Sequence, residues 1–140
     1  MKQTSERGFS IIELLIVVAI VGIIASLAVP HLQKGIRAAE NGNMIATLRT
    51  IAQTEVSYYS QNGRFARLSE INAALSSSIG TMSGNELDRG KFALTMTPAA
   101  PTDVELKQAY TITATRNVAT EGVVYVYELT QTGEIRQILP

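Results

Sequence analysis

The sequence predicts an α+β fold in which a long N-terminal helix packs, by its second half, on a four-stranded antiparallel sheet. Three observations support this class: an apolar stretch at residues 9–29, helical spacing of apolar residues at 31–61, and alternating apolar and polar residues from Lys91 onward. A period near 3.6 residues indicates helix, and a period of two indicates strand. One face of the sheet would receive the apolar stripe of the helix.

The first element is the apolar stretch. Residues 9–29 are 21 residues in which Glu13 is the one ionisable side chain. About 20 apolar residues, rising roughly 1.5 Å each, cross a bilayer as a helix. Lys2 and Arg7 precede the stretch, and positive charge tends to stay in the cytoplasm. We therefore predict a single-pass protein of the cytoplasmic membrane whose C-terminal domain lies outside.

Glu13 is the anomaly of this stretch. A carboxylate in an apolar helix costs about 1–3 kcal/mol to insert into lipid, and it usually indicates a function and a cationic partner. Residues 8–33 contain no Lys or Arg, so the chain offers no nearby internal partner. We predict that the partner of Glu13 comes from outside the chain.

The second half of the helix is predicted at residues 31–61. Pro30 precedes it, and because proline removes a backbone hydrogen bond and clashes with the previous turn, we predict a helix kink there. Residues 31–61 have an amphipathic pattern that indicates packing on a partner. The predicted apolar stripe comprises Ile45, Leu48, Ile51, Ala52, Val56 and Tyr59.

Residues 62–90 are predicted to connect the helix to the sheet. Asn62 and Gly63 supply the left-handed residue that commonly ends a helix. Ser69 is a candidate N-cap for a short helix at residues 70–76. The Ser- and Gly-rich residues 76–90 predict a surface loop.

The sheet is predicted within residues 91–140, as an antiparallel meander with short links. Its third strand is apolar on both faces for most of its length, which favours a position inside the sheet. The four predicted strands are residues 92–97, 110–115, 123–129 and 134–139.

Composition and motifs argue against catalysis and nucleic-acid binding. Lys plus Arg and Asp plus Glu number 12 each, whereas nucleic-acid binding requires a clustered basic patch. The chain has one histidine, His31, and no cysteine, which excludes an ordinary zinc site. No Gly-x-Ser-x-Gly motif and no phosphate-binding glycine loop occur. We predict a protein that is not an enzyme and that has no catalytic residue, metal or cofactor.

The N-terminal residues carry a family resemblance. Gly8-Phe9-Ser10, with Glu13 four residues after the Phe and a long apolar run behind it, resembles the prepilin signature of type IV pilins and pseudopilins. The resemblance implies a leader peptide at residues 1–8, a membrane peptidase that cuts after Gly8, and methylation of the new Phe9 amine. It also implies that Glu13 meets the Phe9 amine of a neighbouring subunit during assembly. Pro30 falls where these proteins carry a helix-bending proline.

The resemblance implies a structural subunit of a type IV pilus-like filament, or fimbrium, that serves adhesion, motility or related surface functions. It divides the chain into the leader, a membrane or filament-core helix at residues 9–30, and a globular domain at residues 31–140. The implied partners are copies of the same chain, the prepilin peptidase and methyltransferase, the inner-membrane assembly platform and lipid. The implied locations are the cytoplasmic membrane for the precursor and the cell exterior for the filament.

Other interpretations remain open on the sequence. A pseudopilin of a type II secretion system and a minor pilin share the same signature. A membrane-tethered binding module would share the helix alone. An ordinary signal peptide would be cut after Ala28, but the apolar run is long for that purpose and contains an acid.

Overall fold

The computed structural model describes residues 8–119 and 121–140. The chain divides into two compact units, the first ending at Glu40 and the second comprising Asn41–Pro140. Helix α1 (Ile11–Asn62) contributes residues to both units. Of the predicted leader peptide, residues 1–7 lie outside the described residues.

The first unit contains the apolar part of α1. Every residue from 8 to 36 is exposed, including large apolar side chains such as Phe9 (81%) and Leu27 (66%). By length and composition, this is the one helix in the described chain that is apolar enough to cross a membrane. A helix that is apolar all round must be surrounded by lipid or by other apolar helices.

In the second unit, α1 buries a stripe that differs in part from the predicted one. Leu48 and Ile51 are fully buried, as predicted. Val56 and Tyr59 are 64% and 40% exposed, so their assignment to the stripe is wrong. The next helical step of four residues from Ile51 leads to Glu55, which is 0% exposed. The buried stripe therefore continues at Glu55, an acid, and not at the neighbouring Val56 that the sequence pattern predicts.

A single antiparallel sheet forms the other layer of the second unit. Its strands follow one another in chain order, and each strand pairs with the next. The strands of this described sheet are β1 (Thr81–Ser83), β2 (Glu86–Arg89), β3 (Phe92–Thr97), β4 (Thr111–Val118), β5 (Val123–Thr130) and β6 (Ile135–Leu139).

The central strands alternate between core and solvent as the period of two predicts. In β3 and β4, buried Leu94 lies opposite Ala114, and Met96 lies opposite Ile112. Leu129 of β5 is the other neighbour of Ile112 and is also fully buried. Strand β5 pairs with β4 on one side and with β6 on the other, which places it inside the sheet.

The predicted number of strands is wrong, because the described sheet has six strands instead of four. The two additional strands, β1 and β2, lie in residues 76–90, which the sequence analysis interpreted as a surface loop. Two-residue turns that begin with Gly84 and Gly90 connect β1 to β2 and β2 to β3. Both glycines have positive φ, +62° and +61°, as such turns require. The short strands escaped prediction because Leu87 is the one fully buried side chain they contribute.

Two short helices complete the second unit. Helix α2 (Leu68–Ala74) begins earlier than predicted, and its N-cap is Arg67 instead of Ser69. The Glu70 carboxylate accepts the backbone N–H of Arg67 at 2.8 Å and so satisfies the start of the helix. A 3-10 helix (Glu105–Lys107) lies between β3 and β4 and buries Leu106.

Candidate functional site

The candidate site is the point where the chain enters α1. Gly8, Phe9 and Ser10 precede the helix, which begins at Ile11, and all of them are exposed. A Cβ atom added at Gly8 would meet no atom of the described residues within 4 Å. Residues 8–119 and 121–140 therefore leave the peptide bond between Gly8 and Phe9 uncovered.

Glu13 closes the first turn of the helix. Its Oε2 accepts the backbone N–H of Ser10 at 2.9 Å, and the Ser10 carbonyl accepts the N–H of Leu14 at 3.2 Å. This is the carboxylate half of a capping box, with Ser10 as the N-cap and Glu13 three residues later. The first amides of a helix carry partial positive charge, so a carboxylate there gains about 0.3–1 kcal/mol.

The surroundings of Glu13 are apolar. Its neighbours along the helix, Ile12 and Leu14, are 64% and 57% exposed, and the apolar surface continues to Ile36. The first basic residue after Glu13 is Lys34, which lies about 30 Å further along the helix. If the Glu13 carboxylate binds a cation, that cation is therefore either a positive group at the N-terminal end of the same helix or a positive group of another molecule.

Pro30 lies inside α1, which continues through it to Asn62. The proline therefore neither begins nor ends the helix, and the predicted kink remains a prediction. His31 follows it and is exposed. Within the described residues, no three His, Cys, Asp or Glu side chains lie together as potential metal ligands.

A charged cluster in the second unit escaped sequence analysis. It comprises Tyr58, Arg64, Arg67, Glu70 and Asp103. Arg64 contacts Glu70 at 2.7 Å, Arg67 contacts Asp103 at 2.6 Å, and Tyr58 donates to Glu70 at 3.1 Å. The Arg64 guanidinium lowers the pKa of Glu70 to about 2. The cluster connects the end of α1, the following turn, α2 and the segment after β3.

A sequence signal for this cluster existed, although it is weak. Arg64, Arg67 and Glu70 place two basic residues and an acid within seven residues, between the end of one predicted helix and the start of the next. Asp103 is distant in sequence, and only the fold brings it to Arg67. Glu55, the buried acid of the α1 stripe, was missed because a charged residue is expected to face solvent.

Comparison with known proteins locates the similarity at the candidate site. The family model described as the prokaryotic N-terminal methylation motif matches residues 3–29. The chain therefore carries this motif, as its resemblance to prepilins predicts.

Three curated proteins illustrate the similarity. The chain is 35% identical over 61 residues to the type IV major pilin protein PilA of Myxococcus xanthus, covering 44% of this chain and 28% of that protein. It is 42% identical over 62 residues to a fimbrial protein of Moraxella nonliquefaciens, covering 44% and 40%. It is 31% identical over 65 residues to the type II secretion system core protein G of Klebsiella michiganensis, covering 46% of each.

These alignments span less than half the length of each curated relative. No solved structure matches the chain significantly.

Proposed function

We propose that this chain, which carries the prokaryotic N-terminal methylation motif, is a structural subunit of a type IV pilin-like filament. The observation that carries the proposal is the position of Glu13. It lies four residues after Phe9, in the first turn of an apolar helix that is exposed from residue 8 to residue 36. The proposed peptidase site, an acid and an apolar helix that the other described residues leave exposed thus lie close together in the sequence.

The exposed apolar helix is suited to two successive environments, first lipid and then the apolar helices of other subunits. Before assembly, residues 9–30 span the cytoplasmic membrane, with the preceding Lys2 and Arg7 on the cytoplasmic side. After assembly, the same surface packs against the helices of neighbouring copies. A head-to-tail contact that does not close on itself generates an open helical polymer, which is the form of a filament.

Processing prepares the N-terminus for this polymer. In the proposal, the prepilin peptidase cuts after Gly8 and methylates the Phe9 amine. Access to that bond is supported by the exposure of Gly8 and by the absence of any described residue within 4 Å of a Cβ placed there. The new amine is a cation created at the same end of the helix as Glu13.

Glu13 then has two acceptor roles in the proposal. In the single chain its carboxylate accepts the Ser10 N–H, which stabilises the start of the helix before assembly. In the filament the carboxylate also meets the methylated Phe9 amine of a neighbour. An ion pair in an apolar, water-poor surrounding is much stronger than the same pair in water, so it selects the correct register between subunits.

The second candidate is a pseudopilin of a type II secretion system. It is favoured by the 31% identity over 65 residues to a core protein of such a system. A pseudopilin uses the same processing and helix, and differs in the machine that assembles it. A minor pilin and a membrane-tethered binding module are the remaining alternatives. None of these proposals assigns an enzymatic activity or a cofactor to the chain.

The test is the intact mass and N-terminal sequence of the protein, measured separately in sheared cell-surface material and in the membrane fraction. A chain that begins at methylated Phe9 and is abundant in sheared fibres supports the filament subunit. The same chain found in the membrane fraction alone, with loss of protein export on deletion, supports the pseudopilin. A chain that begins at Val29 identifies an ordinary signal peptide and overturns the proposal.

A further inference from the structure

The second unit contains a buried acid that the proposed function does not use. Glu55 lies on α1 and is 0% exposed. Its Oε2 accepts the backbone N–H of Ala66, which is also fully buried, at 2.7 Å. Its Oε1 is buried as well and has no hydrogen-bond partner within the described residues. One oxygen of this carboxyl group is therefore hydrogen-bonded, and the other is not.

The partner of Glu55 belongs to the turn that follows α1. We refer to residues 63–67 as the reversal turn, because the chain leaves α1 at Gly63 with a positive φ of +67°. The amide of Phe65, the residue before Ala66, donates to the carbonyl of Leu106 at 2.9 Å. Two consecutive amides thus attach the reversal turn to the rest of the unit, one of them through Glu55.

Aromatic rings cover the same region. The ring of Phe65 lies 4.7 Å from that of Tyr59 and 4.8 Å from that of Tyr110, measured between centroids. Tyr110 is buried immediately before β4, and burial together with the nearby charge of Glu55 raises the pKa of its hydroxyl. The Phe65 ring thus packs the reversal turn against α1 and against the segment that enters β4.

The charged groups near Glu55 do not neutralise it. The pKa of Glu55 is raised to about 7, chiefly by burial; the Ala66 N–H and the charge of Arg64 act to lower it, and the charge of Glu70 acts to raise it. Arg64 is itself paired with Glu70 at 2.7 Å, so its charge is largely compensated. The burial of the carboxyl group is therefore the dominant influence.

We propose that Glu55 is a proton-controlled latch on the reversal turn. When Glu55 is protonated, the turn stays closed over it, because a neutral carboxyl group is tolerated in the apolar layer. When it ionises, the unpartnered oxygen needs water, and the turn opens to hydrate it. The latch makes the order of this segment depend on pH close to neutrality.

The sign of the effect follows from proton linkage. A carboxyl group whose pKa is higher in the closed state than in the open state favours the closed state at low pH. The contribution of Glu55 protonation to the free energy of the closed state is fully present below the ordinary pKa of about 4.5. It is lost as pH rises through about 7. A pH below about 4.5 therefore favours the closed turn, and a pH above about 7 favours the open turn.

Hydrogen–deuterium exchange of the full chain in detergent micelles tests the latch. The amides of Phe65 and Ala66 are compared with those of β4 from about pH 5 to about pH 8, after correction for intrinsic exchange rates. We expect the protection of these two amides to fall on the order of 10²-fold over this range. The amides of β4 should keep their protection, because the opening is local.

Two variants give the experiment its controls. Glu55→Gln keeps an oxygen for the Ala66 N–H and is neutral at every pH, so its two amides should show pH-independent protection. Asp88→Asn removes an exposed carboxylate from β2 and should behave like the original chain. Carbon-13 NMR of the Glu55 carboxyl provides its titration directly.

Three results would overturn the latch. These are a Glu55 titration near its ordinary pKa, an unchanged protection of Phe65 and Ala66 across the range, or an equal loss in β4. All of these measurements concern residues 41–140 alone. The latch therefore stands or falls independently of the filament proposal.

Discussion

Arg64 holds both carboxylate oxygens of Glu70, with Nη2 at 2.7 Å from Oε1 and Nη1 at 2.9 Å from Oε2. This two-point ion pair connects the turn after α1 to the first turn of α2. Glu70 Oε2 also accepts the Arg67 backbone N–H, so the same carboxylate caps α2. One side chain therefore determines both where α2 begins and where the reversal turn lies.

We predict that Glu70→Gln lowers the free energy of unfolding by about 1–3 kcal/mol, because it replaces the two-point ion pair with Arg64 by neutral hydrogen bonds and leaves Arg64 the longer 3.4 Å pair with Asp103. All five tyrosines lie between Tyr58 and Tyr127, so near-ultraviolet circular dichroism during denaturation reports on the second unit. The matched control is Glu134→Gln, which breaks an exposed pair with Arg136 in the same unit. The control should change stability little, since exposed pairs contribute little. Equal effects of the two variants would contradict the role of Glu70.

The ion pair also predicts an acid limb of stability. The pKa of Glu70 is lowered to about 2, below its ordinary value of 4.5. The stabilisation is therefore present above about pH 4.5 and is lost as pH falls through about 2. In Glu70→Gln this part of the acid dependence should disappear. If the stability of Glu70→Gln falls in acid as steeply as that of the original chain, the loss is caused by carboxylates other than Glu70.

Two glycines should respond in opposite ways to alanine. A Cβ at Gly80 would overlap the carbonyl oxygen of Asp88 and lie 2.7 Å from a methyl of Leu87, so Gly80→Ala requires the backbone of β2 to move. We expect a loss of about 1–3 kcal/mol. Gly42 lies exposed in α1 with nothing within 4 Å, so Gly42→Ala should stabilise by about 0.5–1 kcal/mol. Equilibrium unfolding measures both, and a shift of the same sign would contradict the packing at Gly80.

Gly8→Val tests processing without disturbing the described fold, because a Cβ at Gly8 meets no atom of residues 8–119 and 121–140 within 4 Å. We expect the variant to accumulate in the membrane with residues 1–8 retained, as read by intact mass. Ser10→Ala is a control outside the cleaved bond that keeps the backbone N–H used by Glu13. Normal removal of the leader from Gly8→Val would show that the cut lies elsewhere.

What could be predicted from the sequence depended on how local the interactions are. Phe9 and Glu13 lie within one turn, so their spacing and the apolar run around them were readable directly, and the match over residues 3–29 confirms the motif. The alternation in β3 and β4 was also local and was confirmed. Glu55 was not readable in this way. Its burial depends on Ala66, eleven residues away, and on aromatic rings that only the fold assembles.

The sequence pattern did not predict strands β1 and β2 for a related reason. They have three and four residues and little apolar content, and they extend the sheet by pairing, β2 with β3 and β1 with β2. The glycines that open their turns were a signal for hairpins, but the surrounding serines suggested a loop. Short strands of this kind become predictable once the neighbouring strand is known.

The last prediction separates the two roles of Glu13. Glu13→Gln keeps an oxygen that can accept the Ser10 N–H but removes the charge, whereas Glu13→Val removes both. If the charge pairs with the Phe9 amine of a neighbour, both variants should be cut after Gly8 and yet yield at least about tenfold fewer filaments, because each assembly step loses the ion pair.

Ile12→Val, an exposed apolar change beside the acid, is the matched control and should assemble normally. Cleavage is read by mass, and filaments are counted in sheared material by electron microscopy. Normal filaments from Glu13→Gln with loss in Glu13→Val would mean that the carboxylate acts as a helix cap, and the intersubunit charge pair would have to be abandoned. Normal filaments from both variants would remove Glu13 from assembly altogether, because neither the cap nor the charge would then be required.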